Sequence, residues 1–278
     1  MAMPGADERR NRVSDLIGNR PLSARAVLAS ALLGADQPRL KVAELVIVAS
    51  LFGVSAGAAR TCLWRMASNG ELTSDEGAYA LAGHLLERRE RIDEASQMSS
   101  VSANRWDGAW ELAVVSLERR SAADRLELRN AAAALHLAEL REGVWIRPDN
   151  LDRLRLPPSR AVLERQCVRF YRAATDVPAD TVRSLFSLDT WAADARRLIA
   201  AIHDELDTEQ AEFDDAIAHW TYRFALLTAV VTHLQLDPLL PAELIGEEWP
   251  GPALRSSRRR FDDAIKQRIN SAFRRSAQ

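Results

Sequence analysis

The chain has 278 residues, of which 47% are hydrophobic and 27% are charged, and its formal net charge is −2. A length above the roughly 250 residues at which single cores stop growing favours two or three domains. The composition is that of a globular protein in water, and no apolar run approaches the roughly 18 residues of a membrane span, so we expect a cytoplasmic protein without a membrane partner. The polar residues 1–19 predict a flexible N-terminal arm rather than a secretory signal.

The cysteines argue against a metal or disulfide framework. Cys62 and Cys167 are far apart and form no CxxC spacing, so the sequence predicts no structural zinc site. Asp214 and Asp215 precede His219 at a spacing that could chelate a metal on a helix, but a charged helix surface explains the same residues. We therefore predict no metal and no cofactor.

Residues 20–95 predict a winged helix-turn-helix domain. The first helix begins after a capping Ser23 and ends at Gly34, and the second spans residues 42–52. Ser55 caps a third helix over residues 56–68, and a hairpin with its tip at residues 75–77 follows. A glycine turn before the third helix and a two-stranded hairpin after it are typical of this DNA-binding module.

The third helix has a polar face suited to the major groove. Helical spacing turns Ala59, Cys62, Leu63 and Met66 inward and leaves the other face to solvent. Six basic against two acidic residues between positions 20 and 70 make this part of the chain electropositive. We predict that double-stranded DNA is bound by Arg25, Arg39, Lys41, Ser55, Gly57, Arg60, Thr61, Trp64 and Arg65. Alternatively, Arg60 and Trp64 dock on the rest of the protein.

A catalytic motif overlaps this region without the context that it needs. Residues 53–57 match the G-x-S-x-G nucleophile elbow around Ser55. Only about fifty residues precede it, and they include no glycine-rich oxyanion segment. We therefore expect a protein that is not an enzyme.

Several short motifs follow one another along the chain. They are residues 21–34, the turn 52–55 leading to Arg60 and Arg65, Trp106-Asp107-Gly108-Ala109-Trp110, residues 143–148, residues 237–244, and Trp249-Pro250-Gly251. Each motif is modest, but their order and spacing together are specific, and they resemble the PaaX family of transcriptional repressors.

The resemblance implies a dimeric repressor of a catabolic operon. In that family, the founding type leaves its operator when an aryl-acyl-CoA thioester binds, so the resemblance implies a small-molecule effector, such as a CoA thioester. The chain departs from the family before Asp237, where an arginine-rich helix end is expected and residues 230–236 are apolar apart from Thr232, His233 and Gln235. If those arginines bind the effector, the effector of this chain differs from an acyl-CoA.

The rest of the chain predicts two further domains, which makes the fold class multidomain α+β. Strands at residues 110–117, 143–147 and 166–173 and a helix at residues 124–140 predict a ferredoxin-like central domain over residues 103–180. Residues 181–278 predict a helical effector and dimerisation domain.

The sequence does not decide what the C-terminal helices pack against. Apolar residues of these helices repeat at four-three spacing, which favours either the core of this domain or a coiled-coil dimer seam. They are Phe213, Ile217, Trp220, Phe224, Leu227, Val231 and Leu234.

The residues that we expect to contact an aromatic effector are Trp110, Trp145, Arg147, Trp191 and Trp220. The alternative function is a winged-helix module that binds another protein and reads no DNA sequence.

Overall fold

A computed structural model describes residues 23–86, 88–89, 92, 106–207 and 216–276. The fold is α+β, with two antiparallel sheets among many helices. Within the described residues, no helix is long and apolar enough to cross a bilayer. The chain forms two compact units, of which the first takes residues 1–96, 195–235 and 251–278 and the second takes residues 97–194 and 236–250. The domain boundaries expected from the sequence stay predictions, because compactness does not show which part folds alone.

The first unit begins with three helices and a small sheet. Its elements are α1 (Ala24–Gly34), β1 (Arg39–Lys41), α2 (Val42–Leu51), α3 (Ala56–Ser68), β2 (Leu72–Asp75) and β3 (Ala78–Leu81). The strands pair antiparallel in the order β1-β3-β2. One apolar core joins the three helices to the sheet through Leu28, Leu45, Leu63 and Leu81.

Local signals fix the ends of α3. The Ser55 hydroxyl accepts a hydrogen bond from the amide of Ala58 at 3.3 Å, which caps the first turn. At the other end, the amide of Gly70 donates to the carbonyl of Ala67 and the amide of Glu71 donates to that of Met66. This Schellman pattern places Gly70 at a φ of +72°, so the helix ends where the sequence predicts.

The β2–β3 hairpin turns on two residues with positive φ. Glu76 has a φ of +48° and Gly77 a φ of +74°, which is the geometry of a type I′ turn. Glycine adopts that region freely, whereas a side chain at position 76 is strained unless it is Asn or Asp.

We expect Glu76→Asn to raise the free energy of unfolding by about 0.5–1 kcal/mol, because Asn-Gly is the preferred type I′ pair. Thermal unfolding followed by circular dichroism measures the change. Glu248→Asn is the matched control at an exposed site that has no positive φ, and it should stay within about 0.5 kcal/mol of the wild type. A Glu76→Asn protein no more stable than this control would contradict the turn argument.

The second unit contains the larger sheet. Its elements include β4 (Trp110–Val115), α4 (Ala122–Ala134), β5 (Ala138–Arg141), β6 (Val144–Pro148), α5 (Pro157–Gln166), β7 (Cys167–Ala173) and α6 (Ala179–Leu185). The strand order is β5-β6-β4-β7, with every neighbouring pair antiparallel. The helix predicted over residues 124–140 is wrong at its C-terminal end, because α4 ends at Ala134 and residues 138–141 form a strand.

Motifs that are distant in the sequence meet in one apolar cluster of the second unit. Trp110, Ile146 and Leu240 are buried together, and Leu244 and Trp249 pack against them. Trp249 also stacks on Trp191 at a centroid distance of 4.6 Å. The short motifs of residues 106–110, 143–148 and 237–251 therefore build a core.

In the described residues after position 187, the helices are α7 (Leu188–Asp207), α8 (Ala216–Gln235), α9 (Ala242–Ile245) and α10 (Gly251–Ser276). The residues of α8 with the least exposure include Tyr222, Leu226 and Val230, so the predicted seam is not the most buried face. Trp220 and Phe224 of the seam are half-buried and contact Phe52, whereas Phe213 lies outside the described residues.

Candidate functional site

The exposed face of α3 contains the side chains that the sequence turns outward. Ala59, Leu63 and Met66 are buried, which confirms the predicted inward face, and Cys62 is half-buried. Gly57, Arg60, Thr61, Trp64, Arg65 and Ser68 are exposed. Trp64 is 65% exposed, although burying a Trp side chain is strongly favourable. A large exposed indole beside two arginines is a surface suited to a partner.

The turn before α3 orients this face. Residues 52–55 connect α2 to α3, and Gly53 adopts a φ of +74° there. A Cβ on Gly53 would lie 3.3 Å from Ile217 Cδ1 of α8, so the turn also lies close to the C-terminal helices. The amide of Val54 donates to the carbonyl of Ala49, which fixes the direction in which the chain enters α3.

The basic residues of the first unit fall into two groups. Arg25 donates through Nε to Glu71 at 2.9 Å, and Arg39 lies 3.3 Å from a carboxylate oxygen of Asp75. In the described part of the chain, Arg60 and Arg65 form no ion pair, and α3 itself contains no acidic residue. The charge on the exposed face of α3 is therefore uncompensated, whereas Arg25 and Arg39 are largely neutralised.

Lys41 and Ser55 stand at helix starts. The main-chain amide of Lys41 donates to the Glu44 carboxylate at 2.7 Å, and the Lys41 side chain is exposed at the beginning of α2. Ser55 is exposed too, with its hydroxyl occupied by the cap of α3. The Lys41 amide and the Ser55 hydroxyl therefore have structural roles, whereas the Lys41 side chain is exposed.

A cavity of about 370 Å³ lies in the first unit, next to α1 and α2. Aromatic and aliphatic side chains from four helices line it, with charged residues among them. The lining includes Phe52 at the C-cap of α2, Trp220, Arg223, Phe224 and Leu227 of α8, and Asp262 and Lys266 of α10, together with Asp36 and Arg39 from the segment after α1. Phe52 contacts Trp220 and Phe224 at centroid distances of 6.2 and 5.7 Å.

Arg223 is the most unusual residue of this cavity wall. Its side chain is 0% exposed, and its Nε donates to the Glu205 carboxylate at 2.8 Å. The two terminal nitrogens, Nη1 and Nη2, are buried and donate to no acceptor among the described residues. Unfilled donors on a buried cation are energetically costly, so an acceptor within reach of these nitrogens would be strongly favoured.

The predicted effector residues belong to both units. Trp110, Trp145, Arg147 and Trp191 are buried side chains of the second unit. Trp220 belongs to the first unit and lines the cavity. Burial lowers the pKa of Arg147 to about 9, and its guanidinium donates to main-chain carbonyls, so in the described structure it has a packing role.

Sequence reasoning did not identify Arg223. A signal was present, because an arginine in the middle of the mostly apolar α8 must be paired, exposed or functional. The helical period alone cannot distinguish these cases. His219 precedes Arg223 by one turn and also approaches Glu205, with its Nδ1 at 3.4 Å from the carboxylate. Within the described residues, no group of three or more His, Cys, Asp or Glu side chains could hold a metal ion.

Two family models match the chain. Residues 23–85 match the model described as PaaX-like protein, and residues 103–183 match that described as PaaX protein central Cas2-like domain. The chain is similar in structure to the uncharacterized protein Rv0674 from Mycobacterium tuberculosis, with a TM-score of 0.70 and 33% sequence identity over 90% of this chain and 98% of that one. No curated protein matches the chain in sequence. The chain therefore belongs to the PaaX-like family, whose members are usually transcriptional regulators.

Proposed function

We propose that the chain is a transcriptional repressor that binds operator DNA through a winged helix-turn-helix. The observation that supports this most directly is the exposed face of α3, where Arg60 and Arg65 form no ion pair with a described residue and Trp64 is open to solvent. In this proposal, α2 and α3 form the helix-turn-helix, and the β2–β3 hairpin is the wing.

The small N-terminal residues of α3 suit entry into the major groove. Gly57 and Ala58 add little width to the first turn, so the helix can approach base edges closely. Arg60 then reaches a guanine or a phosphate, and Thr61, Trp64 and Arg65 contact the sugar-phosphate backbone. Lys41, Arg39 and Arg25 contribute weaker electrostatic attraction, because Glu71 and Asp75 partly neutralise the two arginines.

The second unit supports the proposed domain arrangement. Its order β4-α4-β5-β6-α5-β7 is the βαββαβ connection of ferredoxin-like domains. We propose that this is a central domain and that the protein acts in the cytoplasm as a homodimer without catalytic activity. A dimer would present two α3 helices to half-sites about 34 Å apart, and a small-molecule effector would release DNA by favouring another geometry.

The test is binding of the purified protein to DNA upstream of its own gene, measured by fluorescence anisotropy across a salt series. We expect the double variant Arg60→Ala with Arg65→Ala to bind about 30-fold more weakly than the wild type, and its salt slope to fall by about 1–2. The double variant Arg119→Ala with Arg129→Ala is the matched control, because both arginines are exposed in the second unit, and it should change the affinity by less than about threefold.

Either of two results would contradict the proposal. Equal binding by the wild type and the double variant would show that the exposed face of α3 does not contact DNA. Binding that ignores sequence and salt would favour a protein-interaction module instead, because phosphate contacts release counterions and must depend on salt.

A further inference from the structure

The cavity of the first unit has the size of a site for a small aromatic ligand. Its volume of about 370 Å³ is near the lower end of the roughly 300–1,000 Å³ of ligand sites. Phe52, Trp220, Phe224 and Leu227 give it an apolar side on which a ring could stack. A single ring with a short chain matches this volume better than a complete CoA thioester does.

The charges around the cavity leave one cation with unfilled donors. Lys266 is paired with Asp36, and Arg39 with Asp75. Among the acidic residues of the wall, Asp262 pairs with Arg258 at 3.3 Å, and burial raises the pKa of Asp262. Arg223 differs from the other cations, because Glu205 occupies only its Nε side.

We propose that this cavity binds an aromatic carboxylic acid, whose carboxylate accepts hydrogen bonds from Nη1 and Nη2 of Arg223. The end-on approach leaves the Nε bond to Glu205 in place and supplies two charge-assisted bonds to donors that otherwise lack an acceptor. The ring of the ligand lies against the aromatic side chains of α8 and Phe52. Arg223 itself lines the cavity and its side chain is 0% exposed, so the carboxylate would be held away from bulk water.

The position of Phe52 links this cavity to DNA binding. Phe52 is the C-cap of α2 and begins the turn into α3, and its ring contacts the two aromatic residues of α8 against which the ligand ring would lie. A ligand that changes this packing changes the direction in which α3 leaves the turn. The role of the acid as an effector rests on the proposed function, whereas its binding to the cavity does not.

The binding test uses isothermal titration calorimetry on the full chain without DNA. The probes are benzoate, 3-phenylpropanoate, the neutral 3-phenylpropanamide and the CoA thioester of 3-phenylpropanoic acid. We expect at least one acid to bind with a Kd below about 1 mM, and the amide to bind at least about tenfold more weakly than 3-phenylpropanoate, since it lacks the charge. The thioester should bind no more tightly than the free acid.

Two variants test whether a loss of binding comes from the ligand site or from unfolding of the protein. Arg223→Lys keeps the charge beside Glu205 but loses the fork of donors, so 3-phenylpropanoate should bind about tenfold more weakly. Leu227→Trp fills the cavity without touching a charge and should abolish binding. Leu154→Trp, at a side chain that is 82% exposed in the second unit, is the matched control and should bind as the wild type does. Circular dichroism checks that each variant is folded.

The proposal fails if neither acid binds below about 1 mM, if the amide binds as well as the acid, or if binding survives in folded Leu227→Trp. Tighter binding of the thioester than of the acid would also overturn it. The affinity of the wild-type protein for DNA is measured separately and does not depend on any of these results. A failure of the ligand site is therefore distinguishable from a failure of the repressor proposal.

Discussion

Glu111→Gln should lower the free energy of unfolding of the second unit by about 3–5 kcal/mol. Glu111 is 2% exposed on β4, and its carboxylate accepts hydrogen bonds from the buried guanidinium groups of Arg160 and Arg169. Arg147 stands opposite Glu111 in the register of β4 and β6. Removing this carboxylate leaves the buried Arg160 without a described counter-charge and Arg169 with only the exposed Glu164, at 3.5 Å, which costs far more than losing a surface pair.

Urea denaturation followed by tryptophan fluorescence measures this loss. Glu127→Gln is the matched control, because Glu127 also pairs with an arginine, Arg165, but both side chains are about half-exposed. That control should cost less than about 1 kcal/mol. If Glu111→Gln cost no more than Glu127→Gln, the buried network would not stabilise the second unit.

Much of the first unit could be predicted from the sequence, because its helix ends depend on neighbours in the chain. Ser23 and Ser55 cap α1 and α3 through hydrogen bonds that span three residues. Gly70 and Gly77 supply positive φ where α3 ends and where the hairpin turns. Such short-range rules predict both ends of α1, α2 and α3 to within about one residue.

The strand β5 shows why another part could not be predicted. α4 ends in a Schellman pattern in which the amide of Leu137 donates to the carbonyl of Ala132, with His136 at a φ of +57°. Glycine or asparagine usually marks such an end, whereas histidine gives no signal in the sequence. The helical composition of residues 124–140 therefore predicts a helix that continues to residue 140.

The candidate sites also divide into parts that local sequence patterns predict and parts that they do not. The exposed face of α3 follows from the 3.6-residue period, so its members were predictable. The partners of Arg25 and Arg39 were not, because Glu71 and Asp75 lie 46 and 36 residues further along the chain. The cavity around Arg223 depends on helices from both ends of the sequence, and no local pattern reports such a meeting.

Arg147→Met should also destabilise the second unit, by about 3–5 kcal/mol. The Arg147 side chain is 0% exposed, and its nitrogens donate to the carbonyls of Pro148 and Leu135 at 3.0 and 2.8 Å and to the amide oxygen of Asn150 at 2.8 Å. A further contact, at 3.4 Å, reaches the carbonyl of Leu239. Methionine fills a similar volume but leaves these acceptors unsatisfied, at about 1–3 kcal/mol for each one that stays buried.

The same urea measurement tests this loss, with Arg165→Met as the matched control. Arg165 pairs with Glu127, but both side chains are about half-exposed, so its loss should cost less than about 1 kcal/mol. Equal stabilities of the two variants would show that the bonds of Arg147 are not needed to join β6 to the segment around Leu239. If instead Arg147→Met alone is destabilised, the motifs of residues 143–148 and 237–244 are coupled through one buried guanidinium, which gives these distant segments a structural reason to occur together.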